Sequence, residues 1–327
     1  MNPNMEVRTG KQSVLPVTWS RAATAAAIPF GPLVDALAAA AVEHHKGLIN
    51  SPERLSVPLA GEGVCLSMPA SASDIAIHKL VNVQPANAQL GAATLQGVVT
   101  VSDAHTGQVL CFLDGPEVTG RRTSGISLLG IRIFLPAPPE EILLIGTGAQ
   151  AAYHLAGIAA LHPACRVLIR GTDRTKEEAF CRQHAAMHYS LAPCPARIPD
   201  SVRVVIALTT SKEIVYDLPA SRERLVIGAG AFKPEMAEIG AATLRDSLLF
   251  VDDPGGARHE AGDLIRADVD WKRVLPLAAA ISDPPSGHPV VLKSVGAAAW
   301  DLAAARVALA RLANGASKNS DPANAAA

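Results

Sequence analysis

Residues 140–151 read Glu-Glu-Ile-Leu-Leu-Ile-Gly-Thr-Gly-Ala-Gln-Ala, and this stretch decides the fold. The apolar run 142–145 is typical of a strand that is buried on both faces. Gly146, Gly148 and Ala151 then form a G-x-G-x-x-A pattern, and residues 152–161 have the composition of a helix. Strand, glycine turn and helix are the context in which this motif indicates a dinucleotide-binding site. Gly146 permits the tight turn, Gly148 lets a pyrophosphate approach, and the helix N-terminus offers N–H groups to the phosphates.

The composition excludes several classes of protein. The chain has 327 residues and a net charge of −1, so it has no basic field of the kind that binds nucleic acid. The five cysteines are scattered without a C-x-x-C pair, and the ten histidines show no metal-ligand spacing, so we expect no metal. No stretch has the length of a membrane span or the apolar core of a signal peptide. We therefore expect a cytoplasmic protein without a membrane partner.

Lys79 stands in the middle of an apolar row. Residues 74–83 read as a strand in which the apolar side chains at positions 75, 77, 81 and 83 share a face with Lys79. A lysine in this place either pairs with a charge or lines a cleft, or it is an edge residue that reaches solvent. The pattern alone leaves both readings open.

Two adjacent arginines follow a predicted hairpin. Its strands are residues 98–102 and 109–113, and the turn-rich segment 103–108 connects them. Arg121 and Arg122, with the hydroxyl residues after them, could bind an anion such as a carboxylate. They could also be the solvated start of a helix with a Thr or Ser cap, which the pattern alone favours.

The end of the second predicted strand, residues 165–170, bears on the cofactor. An NAD-binding fold usually has Asp or Glu at this point, to accept a hydrogen bond from the ribose 2′-hydroxyl. Here Arg170, Thr172 and Arg174 supply two guanidinium groups and a hydroxyl, which suit a 2′-phosphate and predict NADPH. Asp173 keeps NADH open, because it is either a loop carboxylate or the cap of a following helix.

Three more strands of the buried type are predicted at 202–208, 225–227 and 248–251. In an open parallel sheet, ligands lie beyond the carboxyl ends of such strands. Asp252 and Asp253 follow the last of them, and a turn with a helix cap is favoured there over a carboxylate pair for acid–base chemistry. Residues 292–296 are expected to open a final helix that ends near Ala313.

Together these landmarks resemble the ornithine cyclodeaminase/mu-crystallin family across nearly the whole chain. The residues that carry the resemblance are Lys79, Pro85-Ala86-Asn87, Thr106-Gly107, Arg122-Thr123-Ser124-Gly125, the glycine turn 146–151 and Leu292-Lys293-Ser294-Val295-Gly296.

The resemblance implies an α/β fold, in which a Rossmann domain with a doubly wound parallel sheet is inserted into a split α+β domain for substrate binding and dimerisation. The expected substrate domain comprises residues 1–127, with residues 293–316 returning to it. The Rossmann domain would be residues 128–292, and residues 317–327 a disordered tail. The resemblance also implies a homodimer.

The resemblance further assigns expected roles to single residues. Arg54, Lys79 and Arg122 look like the substrate-carboxylate and active-site groups. Beside Gly146 and Gly148, the nucleotide-side positions are Thr94, Ala149, Gln150, Thr209 and Ser294.

One departure from the family pattern decides between its activities. The cyclodeaminases carry an Asp after the strand that corresponds to 225–227, where it interacts with the substrate's amino group. This chain reads Gly-Ala-Gly-Ala-Phe-Lys-Pro-Glu-Met over 228–236, with no Asp, and Glu235 lies further along. This form is similar to the branch that reduces Δ1-pyrroline-2-carboxylate and Δ1-piperideine-2-carboxylate to L-proline and L-pipecolate.

The resemblance therefore implies NAD(P)H-dependent reduction of a small cyclic imino acid, with Lys79 or a water that it orders as the proton donor. Phe232 or its neighbours could set the ring size. Three alternatives stay open: an ornithine cyclodeaminase, an alanine dehydrogenase of the same family, and a nucleotide-bound protein without activity, of the mu-crystallin type.

Overall fold

The computed structural model of the chain describes residues 16–188 and 190–319. The strands are β1 (Val17–Thr18), β2 (Leu55–Pro58), β3 (Val64–Ser71), β4 (Ile75–Val83), β5 (Leu95–Asp103), β6 (Val109–Asp114), β7 (Glu141–Ile145), β8 (Arg166–Arg170), β9 (Leu191–Pro193), β10 (Val204–Ala207), β11 (Leu225–Gly228), β12 (Leu248–Val251), β13 (Val274–Pro276) and β14 (Val290–Lys293). The helices are α1 (Arg21–Ala27), α2 (Phe30–His45), α3 (Gly115–Phe134), α4 (Ala149–Leu161), α5 (Arg174–His184), α6 (Ala241–Arg245), α7 (Pro254–Glu260), α8 (Gly262–Arg266), α9 (Leu277–Ser282) and α10 (Ala298–Asn319).

Within these described ranges, the strands form two sheets. The first has six strands in the order β1-β6-β5-β4-β3-β2, and all of its neighbours are antiparallel except β1 and β6. The second has eight parallel strands in the order β13-β12-β14-β11-β10-β7-β8-β9. The predicted hairpin is confirmed as β5 and β6, and the predicted parallel sheet as the second sheet.

The parallel sheet is covered on both faces, which explains the unbroken apolar runs of its strands. In β7, Ile142 and Leu144 join one buried cluster, whereas Leu143 and Ile145 join another on the opposite face. This is the doubly wound arrangement that the sequence predicts.

Two long helices connect the sheets. α3 begins with a cap in which the Asp114 side chain accepts from the Glu117 N–H, and its Pro116 suits the first turn. α3 packs against α2, α4 and β5, and α10 packs against α2 and β4. The last helix thus lies against a strand of the first sheet, and α3 continues without a break through the predicted domain boundary at 127/128; the division into domains stays a prediction.

The segment 290–296 differs from its prediction. Val290–Lys293 is the strand β14, hydrogen-bonded between β11 and β12, and α10 begins only at Ala298. A four-residue apolar run suits either a strand or a helix, and here the two neighbouring strands decide. α10 also continues past the predicted end near Ala313. The first fifteen residues and residues 320–327 of the expected tail lie outside the described residues.

Across the described residues 16–188 and 190–319, no single helix is long and apolar enough to cross a membrane. The pair of α1 and α2, bent by 71°, meets the criterion only when its two members are taken together.

Candidate active site

A cavity of about 210 Å³ lies where the carboxyl ends of the parallel strands meet the first sheet. Its walls come from β3, β4, α3, the start of α4 and the loops after β10, β11 and β14. The lining residues include Arg54, Leu66, Met68, Lys79, Val81, Val83, Leu95, Thr119, Arg122, Thr123, Gln150, Leu208, Thr209, Thr210, Ala229, Gly230, Phe232, Ser294 and Val295. The predicted active-site residues Arg54, Lys79 and Arg122 thus reach one place.

Lys79 lies on the inward face of β4 and is 1 % exposed. Its Nζ atom is 2.6 Å from Oδ2 of Asp301, and the side chain also lines the cavity. The structure therefore excludes the edge lysine that reaches solvent. Burial lowers the pKa of the Lys79 ammonium to about 7, while Asp301 opposes this shift and the positive charge of Arg122 adds to it.

Asp301 is one of the groups that the sequence predictions missed. It lies in the first turn of α10 and is fully buried, with Oδ1 3.3 Å from Nε of Arg122. A signal was present, because Asp301 is the one charged residue in the otherwise apolar stretch 297–305. A buried carboxylate in such a helix requires a cation beside it.

Arg122 is buried in the middle of α3, and the interpretation of this stretch as a solvated helix start is wrong. α3 begins at Gly115, so the two adjacent arginines project from its interior in different directions. Arg121 pairs with Glu117 at 2.7 Å and lies over the Phe30 ring, whereas Arg122 faces Asp301 and the cavity.

Arg54 reaches the cavity from the loop before β2. Its Nη2 atom donates to Oε2 of Glu260 at 2.8 Å and to the carbonyl oxygens of Val295 at 2.9 Å and Gly296 at 2.7 Å. Burial lowers the pKa of the guanidinium, and Glu260 opposes this shift. Nε and Nη1 have no hydrogen-bond partner among the described residues, so they can bind a carboxylate that enters the cavity.

The glycine turn has the shape that a dinucleotide needs. Gly146 has a φ of +130°, and a Cβ atom there would lie 2.9 Å from the carbonyl oxygen of Leu208. A Cβ atom on Gly148 would meet no heavy atom within 4 Å, so the space in front of this residue is open. No described side chain caps α4, which leaves its first N–H groups, from Ala149 onwards, for the phosphates. The residues fit a bound dinucleotide.

The end of β8 shows how the residues predicted to choose the cofactor are held. Asp173 caps α5 by accepting from the Lys176 N–H, which decides between its two readings. Arg170 donates through Nη2 to Cys194 and to the carbonyl oxygens of 195 and 196. Arg174 is more than half exposed and pairs with two glutamates of its own helix. The Thr172 hydroxyl lies 3.0 Å from the Lys176 ammonium.

The loops after β10 and β11 are joined by Glu238, which the sequence predictions did not single out. Its carboxylate accepts from the backbone N–H groups of Thr209, Gly230 and Ala231. Glu238 is fully buried, and burial raises the pKa of its carboxyl group. Glu235, which the sequence brought into question, is exposed and does not line the cavity.

The remaining predicted positions divide into two groups. Ser294 lines the cavity and donates its hydroxyl to Asp252 at 2.7 Å. Thr94 is exposed in the loop before β5 and is not part of the lining. Asp253 caps α7, as the favoured reading predicts, and Asp252 accepts hydrogen bonds from the loop after β14.

Comparison with known proteins places the chain among described enzymes. Residues 20–315 match the ornithine cyclodeaminase/mu-crystallin family. The Δ1-pyrroline-2-carboxylate reductase 2 of Burkholderia ambifaria is 51 % identical, over 88 % of this chain and 93 % of that protein. The Δ1-pyrroline-2-carboxylate/Δ1-piperideine-2-carboxylate reductase of Azospirillum brasilense is 50 % identical, over 90 % of this chain and 96 % of that protein.

Solved structures share the fold at lower identity. The Δ1-pyrroline-2-carboxylate reductase of Thermococcus litoralis, in complex with NADH and L-proline, superposes with a TM-score of 0.81 at 20 % identity and covers 92 % of this chain and 98 % of that one. An archaeal alanine dehydrogenase dimer with bound NAD also has a TM-score of 0.81 at 20 % identity, with coverages of 93 % and 97 %.

Proposed function

Because the chain belongs to the ornithine cyclodeaminase/mu-crystallin family, we propose that it is an NAD(P)H-dependent reductase of cyclic imino acids. It reduces Δ1-pyrroline-2-carboxylate to L-proline, or Δ1-piperideine-2-carboxylate to L-pipecolate, or both. One observation carries the proposal: Lys79, paired with the buried Asp301, lines one cavity together with Arg54, Arg122 and Gln150, the last of which belongs to the glycine turn. Relatives about half identical over nearly the whole chain bear the names of such reductases.

The two arginines account for binding. A planar carboxylate on the ring accepts hydrogen bonds from the Nε and Nη1 atoms of Arg54 and from the Arg122 guanidinium. The neighbouring wall is apolar, with Leu66, Val81 and Phe232, and suits the methylene groups of the ring. None of the described lining residues is Asp or Glu, so the cavity wall offers no carboxylate to pair with the second amino group of an open-chain diamino acid.

Lys79 accounts for the proton. Reduction of C=N to CH–NH requires one hydride at carbon and one proton at nitrogen. The nicotinamide, when bound, supplies the hydride. Lys79 in its ammonium form holds the proton at Nζ, and Asp301 stabilises that form. Because its pKa is near neutral, Lys79 gives up the proton to the ring nitrogen without a large cost.

We also propose NADPH as the preferred cofactor, with NADH as the alternative. Arg174, Lys176 and Thr172 present two cations and a hydroxyl at the end of β8, whereas Asp173 is occupied as a helix cap. We expect Arg174→Ala to weaken NADPH binding about tenfold while NADH binding stays within about twofold. Arg182→Ala is the matched control. Arg182 pairs with Glu178, as Arg174 does, but it lies in the last turn of α5, away from the end of β8. Equal losses for both nucleotides would contradict the preference.

A homodimer is proposed for the assembly, with residues 1–127 and 293–316 as the dimerisation domain. The outer face of the first sheet carries Leu55, Val57 and Leu80, each more than 40 % exposed. Leu55 and Leu80 both stand opposite Ser67, so they form one row across β2, β3 and β4. Such a row fits a second copy of the same face. Sedimentation equilibrium should give twice the chain mass, and a monomer at micromolar concentration would contradict it.

One assay separates the candidate functions. The purified chain is mixed with NADPH or NADH and with the five- and six-membered cyclic imino acids, and nucleotide oxidation is followed. We expect oxidation with the cyclic imino acids and none with ornithine. Consumption of ornithine without net NAD(P)H oxidation would indicate a cyclodeaminase. Oxidation only with pyruvate and ammonia would indicate an alanine dehydrogenase, and nucleotide binding without turnover a mu-crystallin-type protein.

A further inference from the structure

Asp252 collects an unusual number of hydrogen bonds for a buried carboxylate that has no cation beside it. Oδ2 accepts from the Ser294 hydroxyl at 2.7 Å, the Gly296 N–H at 3.0 Å and the Trp300 indole N–H at 3.0 Å. Oδ1 accepts from the Val295 N–H at 2.9 Å and from the N–H of residue 253 at 3.0 Å. Among the described residues, no lysine, arginine or histidine lies within ion-pair distance of it. The donors thus replace the solvation that burial removes.

Four of these donors belong to one short segment, the loop from residue 294 to 296 and the first turn of α10 behind it. Asp252 directly follows β12, and Ser294 directly follows β14, the neighbouring strand, with Val251 opposite Lys293. Asp252 therefore fastens the end of one strand to the loop that leaves the next. Without Asp252, only the backbone itself would hold the shape of the loop. Gly296 has a φ of +81° there, a conformation that glycine adopts readily and that leaves the loop free to move.

The same loop holds the arginine that we assign to the substrate's carboxylate. The carbonyl oxygens of Val295 and Gly296 accept from Nη2 of Arg54 at 2.9 and 2.7 Å. The N–H groups of the same two residues donate to Asp252. Each of the two residues thus bonds Asp252 through its N–H and Arg54 through its C=O, so a shift of Asp252 moves two of the three acceptors that hold the guanidinium, the third being Glu260.

We infer that Asp252 is a positioning residue for substrate binding, which acts on the ring carboxylate through the 294–296 loop and Arg54. The inference rests on the proposed function, because it requires a ligand with a carboxylate. Asp252 does not line the cavity and does not touch the reacting atoms. Its effect should therefore fall on binding of the carboxylate and leave the proton and hydride steps unchanged.

The test is a double-mutant cycle on Asp252→Asn and Arg54→Ala. Either orientation of the amide turns an NH2 group towards at least two N–H or O–H donors, so the loop shifts. We expect KM for the cyclic imino acid to rise about tenfold or more, with kcat within about threefold of wild type. In the Arg54→Ala background, Asp252→Asn should change KM by less than about twofold.

A substrate without the carboxylate gives a second readout. The plain cyclic imine Δ1-pyrroline cannot use Arg54, so Asp252→Asn should leave its kcat/KM within about twofold of wild type. A merely structural defect would lower kcat/KM for both imines in proportion, and that result would overturn the inference. So would additive losses in the cycle. An inactive wild-type chain would instead contradict the proposed function, and L-proline binding by calorimetry would then report on Asp252 and Arg54 directly.

Two variants control for folding. Asp253→Asn makes the same change one residue along, where Asn still caps α7 and does not contact the loop, and should keep the wild-type KM. If Asp252→Asn does not fold, Trp300→Phe removes one of the donors to Asp252 and keeps an aromatic ring. It should raise KM by about threefold, and an unchanged KM in this variant would overturn the inference.

Discussion

The role of Lys79 is open to a sharp test through its pKa. The structure places its ammonium beside a buried carboxylate, in a cavity wall, with its pKa lowered by burial to about 7. The difference from the ordinary value of 10.5 corresponds to about 5 kcal/mol against the charged form. At pH 7 about half of the molecules carry the proton, whereas an ordinary lysine would be almost fully protonated and a poorer donor.

The sign of the pH dependence follows from which form is active. The ammonium form donates the proton, and it is present below about pH 7 and lost as the pH rises through the pKa. We therefore expect kcat/KM for the cyclic imino acid to be level on the acid side and to fall about tenfold per pH unit above the break.

Replacement of Lys79 should remove both the rate and the break. Lys79→Met keeps the length of the side chain without a proton donor, and Lys79→Arg keeps a charge beside Asp301 but has a pKa too high to donate. Each should lower kcat by about 10²- to 10⁴-fold, which is about 3–5 kcal/mol of transition-state stabilisation. The Kd for NADPH, measured by fluorescence titration, should stay within about twofold, because Lys79 belongs to β4 of the first sheet and the glycine turn follows β7 of the second.

Lys293 offers a matched control within the same chain. It is as buried as Lys79 and its Nζ lies 2.7 Å from the buried Asp263, but it does not line the cavity. Lys293→Met should lower the free energy of unfolding by about 3–5 kcal/mol and leave the break in the pH profile in place. A rate in Lys79→Met above about a third of wild type, or a wild-type profile that rises from pH 6 to 9, would refute the assignment of Lys79 as the acid.

Three further substitutions test other parts of the site. Gly148→Val places a side chain in open space, so thermal stability should hold while the Kd for NADPH rises about tenfold; unchanged binding would argue against phosphates at the turn. In Gly296→Ala, the added Cβ atom would lie 2.4 Å from Nη1 of Arg122, so the guanidinium must shift. We expect KM for the imino acid to rise about tenfold and the Kd for NADPH to stay nearly unchanged. In Glu238→Gln, the amide turns an NH2 group towards the N–H of Thr209 or of Gly230, so one hydrogen bond is lost. We expect the free energy of unfolding, measured by urea titration, to fall by about 1–3 kcal/mol. An unchanged free energy of unfolding would contradict these hydrogen bonds.

The features predicted correctly are those whose signals lie within a few residues. The glycine turn, the inward row of β4 and the hairpin of β5 and β6 each show their period or their turn residues locally. The prediction of a helix from residue 292 is wrong because the apolar run of β14 is short and its place in the sheet depends on β11 and β12, which come from elsewhere in the chain. The anchoring of the loops by Glu238 and Asp252 was invisible for the same reason, since each carboxylate serves N–H groups of distant segments.

The charged residues show where the local signals end. Lys79 interrupts an apolar run, and Lys293 ends one. Asp301 and Asp263 are buried carboxylates on the helices α10 and α8. A buried charge predicts that an opposite charge lies beside it, but two cations and two anions can pair in two ways. The packing of α10 on β4 decides for Lys79 with Asp301, which leaves Lys293 for Asp263. Even the correct pairing would not identify the acid, because both pairs are equally buried.

What distinguishes Lys79 is that its side chain also reaches the cavity that Arg54 and Arg122 enter, and this depends on how the two sheets meet rather than on any one stretch of sequence.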